Sequence, residues 1–426
     1  MSARGVLRRL VRVEEGEGPV LAWSFLYFFF LLSSYYVIRP LRDAMGLSGS
    51  ESQLTWLYMG TLVGTLLANP VLGALVSRFP RRVFVPIVYH VLAANLVLFW
   101  ALLYSSSGER QLQVARVFFV WVSVFNLFAV SLFWGFMADL FRSEQGKRLF
   151  GFIGMGGTLG AVVGAALTVS LARSLGPVQL LLVAAALLQG AIYCVRRLSR
   201  LPARDGTGTE SAEAPPGHGI WSGIRRVATS PYLLGICLFM LFYSISSTFI
   251  YFQQARIVRA AFQDSASRTA FFAQVDLLVN LLTLSVQCFF TGRILLAIGI
   301  GATLAALPAI TMGGLAALAL EPLTSTVLGL QVIRRSAEFA LVRPAREVLF
   351  TVVTREEKYT AKSLIDTFVY RGGDALGALL DRGLALAGLG AAAIASAFLP
   401  VAAGWVVLAA LLGRTQARRA RGAAAS

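Results

Sequence analysis

Apolar residues dominate this chain in long runs, and its polar residues cluster between them. A membrane-crossing helix takes about 20 mostly apolar residues. Runs of that kind fall near 19–38, 54–77, 83–104, 114–138, 149–172, 176–195, 232–253, 271–290, 294–316, 323–342, 361–380 and 386–412. Only helices, whose backbones satisfy themselves internally, cross lipid in such a pattern. The pattern predicts an all-α polytopic membrane protein of 12 transmembrane helices in two six-helix halves. Residues 1–196 form the first half and residues 231–426 the second. Between them, residues 197–230 include Pro202-Ala-Arg-Asp-Gly-Thr-Gly-Thr-Glu-Ser-Ala-Glu-Ala-Pro-Pro216 and read as a flexible cytoplasmic linker. Residues 219–229 read either as ordinary loop or as a short interfacial helix, with Trp221 at the headgroups and Arg225 and Arg226 in water.

Composition agrees with this picture: 57% of residues are hydrophobic, and the mean hydropathy is +0.71. The formal net charge of +17 at first suggests a nucleic-acid partner. Its distribution argues for orientation instead. Arg4, Arg8, Arg9 and Arg12 open the chain, Arg78, Arg81 and Arg82 follow the second run, and Arg414, Arg418, Arg419 and Arg421 close it. With both termini placed in the cytoplasm, most basic residues fall inside, as the positive-inside rule expects. Tyr35, Tyr36 and Arg39 follow the first run where a small-residue cleavage site would stand, so that run reads as a retained span. Cys194, Cys237 and Cys288 form no CxxC pair, and His90 and His218 lie far apart. Neither a metal site nor a cofactor is expected.

The halves resemble one another. Arg78 follows the second run and Arg293 the eighth. The likeness is weak: Met137-Ala-Asp-Leu-Phe141 resembles Arg346-Glu-Val-Leu-Phe350, and Gly156 to Ala161 resembles Gly373 to Ala378, with chance similarity among apolar segments as the alternative. Internal repeats with a site near the midplane are the architecture of secondary transporters. The run from Gly151 to Gly164 invites a dinucleotide-loop reading, but no strand precedes it. Gly156, Gly160 and Gly164 have the small-xxx-small spacing that lets helices approach closely. Gln145-Gly-Lys147-Arg148 lacks the first glycine and the Ser or Thr of a P-loop.

Charge within lipid costs at least about 2.5–3.5 kcal/mol by insertion scales, so such residues face a cavity or a partner. Arg39, Arg42 and Asp43 end the first run; Arg39 and Arg42 have a second reading, snorkelling to the interface. Asp276, Asn280 and Gln287 share a face of the eighth. Arg334, Arg335 and Glu338 lie inside the tenth, and Arg343, Arg346 and Glu347 end it. Lys362, Asp366, Tyr370 and Asp374, at steps of four, predict one helical stripe in the eleventh, with Arg371 within reach of Asp374. Guanidinium forks and a lysine suit a phosphorylated anion. The candidate substrate-binding set is Arg39, Arg42, Asp43, Arg343, Arg346, Glu347, Lys362, Asp366 and Arg371. Asp276, Arg334, Arg335, Glu338 and Asp374 are candidates for coupling or gating. The bland alternative is charge pairing that locks helices together.

Two resemblances to known families rest on quoted residues. Gly73-Ala-Leu-Val-Ser-Arg78-Phe-Pro-Arg-Arg82 resembles the loop between spans two and three of the major facilitator superfamily, with Ser77 in place of its acid and Pro80 in place of its glycine. Ser34-Tyr-Tyr-Val-Ile-Arg39-Pro-Leu-Arg42-Asp43, Phe133-Trp-Gly-Phe136 with Lys147-Arg-Leu-Phe-Gly-Phe-Ile-Gly154-Met-Gly156, and Glu347 with Lys362-Ser-Leu-Ile-Asp366 and Arg371-Gly-Gly373 together resemble the ATP:ADP antiporter family. That resemblance implies a major-facilitator-like twelve-span nucleotide exchanger, with Arg42 and Lys362 at positions whose basic residues contact phosphates. The sequence departs where the family carries acids in its fourth and seventh spans: here these read Val120-Trp-Val-Ser-Val-Phe-Asn126 and Ser246-Ser-Thr-Phe-Ile-Tyr-Phe-Gln-Gln254. The chain thus reads as a divergent bacterial member, and the resemblance implies a bacterial cytoplasmic (inner) membrane as its location.

The predicted function is secondary antiport of nucleotides or another phosphorylated anion by alternating access, with ATP binding, in a monomer whose partners are the lipid bilayer and a small anionic solute. No enzymatic activity and no nucleic-acid partner are expected. The alternative is a proton-coupled major-facilitator-type transporter of an unrelated solute, with Asp276, Glu338, Asp366 and Asp374 as proton carriers. A non-transporting sensor or assembly component is the third reading.

Overall fold

A computed structural model describes residue 14 and residues 17–141, 143–200 and 227–425. Among the described residues the regular structure is all helical. The helices are α1 (Gly18–Gly46), α2 (Glu51–Arg78), α3 (Arg81–Ser105), α4 (Gly108–Leu140), α5 (Ser143–Leu171), α6 (Leu180–Arg200), α7 (Pro231–Ala261), α8 (Ser265–Phe289) and α9 (Thr291–Leu320). The chain continues through α10 (Thr324–Ala337), α11 (Arg343–Leu349), α12 (Arg355–Leu364), α13 (Tyr370–Leu386), α14 (Ala391–Ala397) and α15 (Leu399–Ala425). Ten helices among the described residues are long and apolar enough to cross a membrane. The tenth and eleventh passages are assembled from α10–α11 and α12–α13, which brings the passages to twelve.

These two passages depart from the continuous helices expected of them. A π-helical turn, Glu338–Val342, joins α10 to α11, and another, Ile365–Val369, joins α12 to α13. Each turn holds one acidic residue, Glu338 or Asp366, and the other charges of its passage lie on either side. The linker also begins later than expected, because α6 runs on to Arg200. Ser230 caps α7, its hydroxyl accepting from the Leu233 N–H with Pro231 in the first turn. Residues 201–226, with Trp221, Arg225 and Arg226, lie outside the described residues.

The chain forms two compact units. Unit 1 comprises the described residues of Met1–Ser50, Val63–Ser211 and Asp264–Leu277. Helix α1 packs against α5 and α6 at its centre. A Cβ at Gly156, Gly160 or Gly164 would stand 2.5, 2.2 or 2.4 Å from the carbonyl oxygen of Phe25, Phe29 or Ser33. The small-residue spacing therefore brings two backbones together. Ser33 and Ser34 strengthen the same seams, donating to Gly160 O at 3.1 Å and Ala184 O at 2.8 Å. Phe28 stacks on Phe133 with centroids 4.0 Å apart. The Tyr27 hydroxyl lies 2.6 Å from that of Tyr89, which donates to Ala129 O at 2.9 Å, so the buried hydroxyls are satisfied in series.

Just outside α1, the buried Glu17 carboxylate accepts from the Glu14 N–H, the Gln145 amide at 2.8 Å and Arg148 Nη2 at 2.9 Å. Burial pushes this carboxyl up, but the three donors and the Arg148 charge outweigh it and hold it below its ordinary value. A lowered folded-state pKa contributes stability that is complete above the unfolded value of about 4.3 and lost as pH falls through the folded value. Glu17→Gln should therefore lower the melting temperature by a constant amount above about pH 5, with the gap closing below about pH 4. Melting curves of both proteins across that range check this; a gap that persists in acid contradicts it.

Unit 2 comprises the described residues of Glu51–Leu62, Ala212–Gln263 and Leu278–Ser426. Its seam repeats that of unit 1. On α13, a Cβ at Gly373 would stand 2.6 Å from Ser244 Cβ, and one at Gly377 2.9 Å from Ile245 O on α7. The fifth and eleventh passages thus pack on the first and seventh through the glycines whose sequence neighbourhoods match.

Candidate functional site

Pro344 organises the site in unit 2. It has no N–H to donate, so the carbonyls four and five residues before it lose their helical partner. Those are Ala340 O and Phe339 O. Thr291 Oγ1 donates to the first at 2.8 Å and Gln287 Nε2 to the second at 3.1 Å. Inside a membrane such replacement donors are what makes a broken helix tolerable. The π turn opens the passage, as π-bulges at functional sites often do. A cavity of about 560 Å³ lies there, lined by Gln287, Phe339, Arg343, Pro344, Arg346 and Glu347.

Three residues of the predicted substrate set, Arg343, Arg346 and Glu347, therefore share one cavity. The Arg343 guanidinium lies 4.8 Å from the Phe339 ring centroid. Arg346 Nη1 lies 2.9 Å from Met240 Sδ and 3.9 Å from Glu338 Oε1. Lys362 Nζ pairs with Glu347 Oε2 and lies 5.4 Å from the Phe350 ring centroid. Glu347 is itself exposed, so that pair can exchange with an anionic ligand.

Arg334 and Glu338 sit deeper, only 1% and 3% exposed. Arg334 Nε donates to Thr311 Oγ1 at 3.1 Å, Nη2 to Ser246 Oγ at 2.9 Å, and 3.4 Å contacts join Ser247 Oγ and Tyr243 O. The Ser246 and Thr311 hydroxyls spend their own protons on Tyr243 O and Leu307 O, leaving lone pairs for the guanidinium. Arg335 is half-buried one position further on.

The predicted stripe does not survive. The Ile365–Val369 π turn widens the helix between Lys362 and Asp374 and ends the four-residue spacing. Lys362 faces Glu347, whereas Asp374 Oδ1 is bound by Ser244 Oγ at 2.6 Å and Thr248 Oγ1 at 3.0 Å on α7. Arg371 reaches Asp374 Oδ2 at 3.6 Å, the expected pair. The Asp366 side chain lies outside the described ones.

In unit 1, Arg39 Nη1 donates to the buried Asp276 Oδ1 at 2.6 Å, joining a predicted binding residue to a predicted coupling residue. Arg42 approaches Asp43 at 3.9 Å and lies 4.1 Å from the Phe119 ring centroid. The cations named here are thus largely engaged by carboxylates or rings. The pairing that sequence reasoning missed is Arg256 with Asp381, a two-pronged ion pair between α7 and α13 whose Nη1–Oδ1 arm measures 3.0 Å. The amides Gln253, Gln254 and Gln331 were also missed. Their signal was a polar residue inside an apolar run, without a charge to draw notice.

Comparison with known proteins places this geometry. The family model for the Major Facilitator Superfamily matches residues 20–378. The chain belongs to that superfamily. ADP,ATP carrier protein 2, chloroplastic, of Arabidopsis thaliana is 23% identical over 425 residues, covering 84% of this chain and 67% of its own length. ADP,ATP carrier protein 1 of Chlamydia trachomatis serovar D is 21% identical over 306 residues, covering 63% of this chain and 58% of its own. Among solved structures, a point mutant of the nucleoside transporter NupG superposes with a TM-score of 0.64 at 13% identity, covering 93% of this chain and 99% of that one. A bacterial homologue of the human lysosomal transporter Spinster, inward-facing and unoccupied, gives a TM-score of 0.59 at 15% identity, covering 95% and 99%. The likeness to both solved structures concerns the fold. This superfamily member is an all-α membrane transporter with twelve helical passages, and its relatives are transporters rather than enzymes.

Proposed function

We propose that this transporter exchanges nucleotides, or another phosphorylated anion, across a bacterial inner membrane by alternating access. In this reading the halves are 1–196 and 231–426, with the 197–230 linker and both termini in the cytoplasm and the monomer as the working unit. The observation that carries this reading is the cavity beside Pro344, where Arg343 and Arg346 lie beside the exchangeable Lys362–Glu347 pair. A phosphate entering there takes over the fork of Arg346 and competes with Glu347 for Lys362. The likeness to ADP,ATP carriers supports the same substrate class.

ATP carries about one more negative charge than ADP at neutral pH, so a one-for-one swap moves charge, worth about 2.3 kcal/mol per 100 mV. Labelled ATP should enter vesicles preloaded with ADP faster than empty ones, at a rate that changes with membrane potential. Uptake indifferent to the preloaded solute, across several nucleotides and sugar phosphates, rejects antiport. A second reading, proton-coupled transport, is favoured by the buried Glu338 carboxylate; flux driven by a pH gradient without internal substrate would select it.

A further inference from the structure

Two glutamines on α7 stand out for their buried amide nitrogens. Gln253 and Gln254 are each 2% exposed, and Gln331 on α10 is 5% exposed. Gln331 Nε2 donates to Gln254 Oε1 at 2.6 Å. That bond fixes the plane of the Gln254 amide and leaves its N–H donors pointing elsewhere. Neither Gln254 Nε2 nor Gln253 Nε2 finds an acceptor among the described residues. Buried amide donors without acceptors oppose folding, and here two adjacent ones lie within a membrane segment. Leucine at Gln253 would pack at no such cost, whereas at Gln254 it would also strand the Gln331 donor. A ligand that brings an acceptor satisfies the free Gln254 donor.

The surroundings narrow the ligand's chemistry. Tyr251 lies three residues before Gln254, on the same side of α7. The Tyr58 ring lies 5.6 Å from Tyr251 and 5.4 Å from Phe252, centroid to centroid. Flat rings beside oriented amides suit a planar heteroaromatic group: the rings stack on its face and the amides meet its edge. A glutamine amide carries donor and acceptor side by side, which pairs with the edge of a nucleobase. Arg334, one turn beyond Gln331, already donates to Thr311 and Ser246.

We infer that Gln254 and Gln331, flanked by Tyr58 and Tyr251, form a subsite for the uncharged base of a nucleotide, separate from the cations that meet its phosphates. This rests on the phosphorylated-anion reading above. The test is binding to the purified full chain, comparing ATP, GTP, CTP and UTP with inorganic tripolyphosphate. The best-bound nucleotide should exceed tripolyphosphate by about tenfold or more, the order of one well-made buried hydrogen bond. Gln254→Glu keeps the acceptor for Gln331 and removes the free donor. It should weaken the nucleotide about tenfold more than tripolyphosphate, whose binding the added carboxylate also opposes. Gln331→Leu, which unfixes the Gln254 plane, should narrow the differences among the four bases. Should either variant fail to fold by its unliganded melting curve, the other carries the test. A nucleotide-to-tripolyphosphate ratio unchanged in the folded variants, or equal to one in the parent protein, overturns the base subsite while the anion reading stands. No binding of either ligand class to the parent protein overturns both.

Discussion

Gly160→Ala should be among the most damaging single-methyl changes in this protein, whereas Gly151→Ala in the same helix should do no harm. The two sites share a helix and a chemistry, so propensity favours alanine by about 1 kcal/mol at both. They differ in what the new carbon meets. At Gly160 it would stand 2.2 Å from Phe29 O and 2.9 Å from the Phe29 carbonyl carbon, a rigid backbone. At Gly151 nothing lies within 4 Å. Relief at Gly160 requires α1 and α5 to separate. That stretches the Ser33 bond to Gly160 O and loosens the approach repeated at Gly156 and Gly164. Overpacking of a tight core costs about 1–3 kcal/mol, and a contact that only backbone movement can relieve belongs at or above the upper end. The measurement is the apparent melting temperature of detergent-purified protein, with the yield of monodisperse material. Equal behaviour of the two variants would show that the α1–α5 approach is not what holds unit 1 together.

That prediction was within reach of the sequence, because helix–helix approach is written in spacing: glycines at steps of four have one meaning in an apolar run. The long apolar passages were legible for the same kind of reason, lipid imposing length and composition on each. The site was legible only in part. Arg343, Arg346 and Glu347 fall within little more than a turn, so any helical reading groups them. Lys362 with Glu347 is a pairing across a connection between passages, and Arg256 with Asp381 spans most of the second half; periodicity is silent about both. The stripe through Lys362, Asp366, Tyr370 and Asp374 failed because one inserted residue per π turn rotates everything after it. Pro344 announces a break, but which side chains replace the lost hydrogen bonds depends on α8 and α9 arriving beside it.

Arg346→Gln and Glu347→Gln should move substrate affinity in opposite directions, and the contrast tests the anion reading more sharply than either loss alone. Both residues line the same cavity, so a merely structural effect would damage them alike. Arg346 offers a fork to a phosphate, and a hydrogen bond to a charged group is worth about 1.5–3 kcal/mol. Its loss should raise KM for the phosphorylated substrate about 10- to 150-fold. Glu347 instead holds Lys362, and its carboxylate repels an incoming anion. Replacing it with the neutral amide removes the competitor and leaves the cavity one charge more positive. KM should fall, and maximal exchange should slow, because a substrate held more tightly leaves more slowly. A transporter that worked by binding alone would gain from that change; one that must release its cargo on the far side loses. Exchange kinetics at several substrate concentrations separate the two parameters. If both variants simply lose transport in proportion to lost folding, these charges are locks between helices, and the solute must be recognised elsewhere.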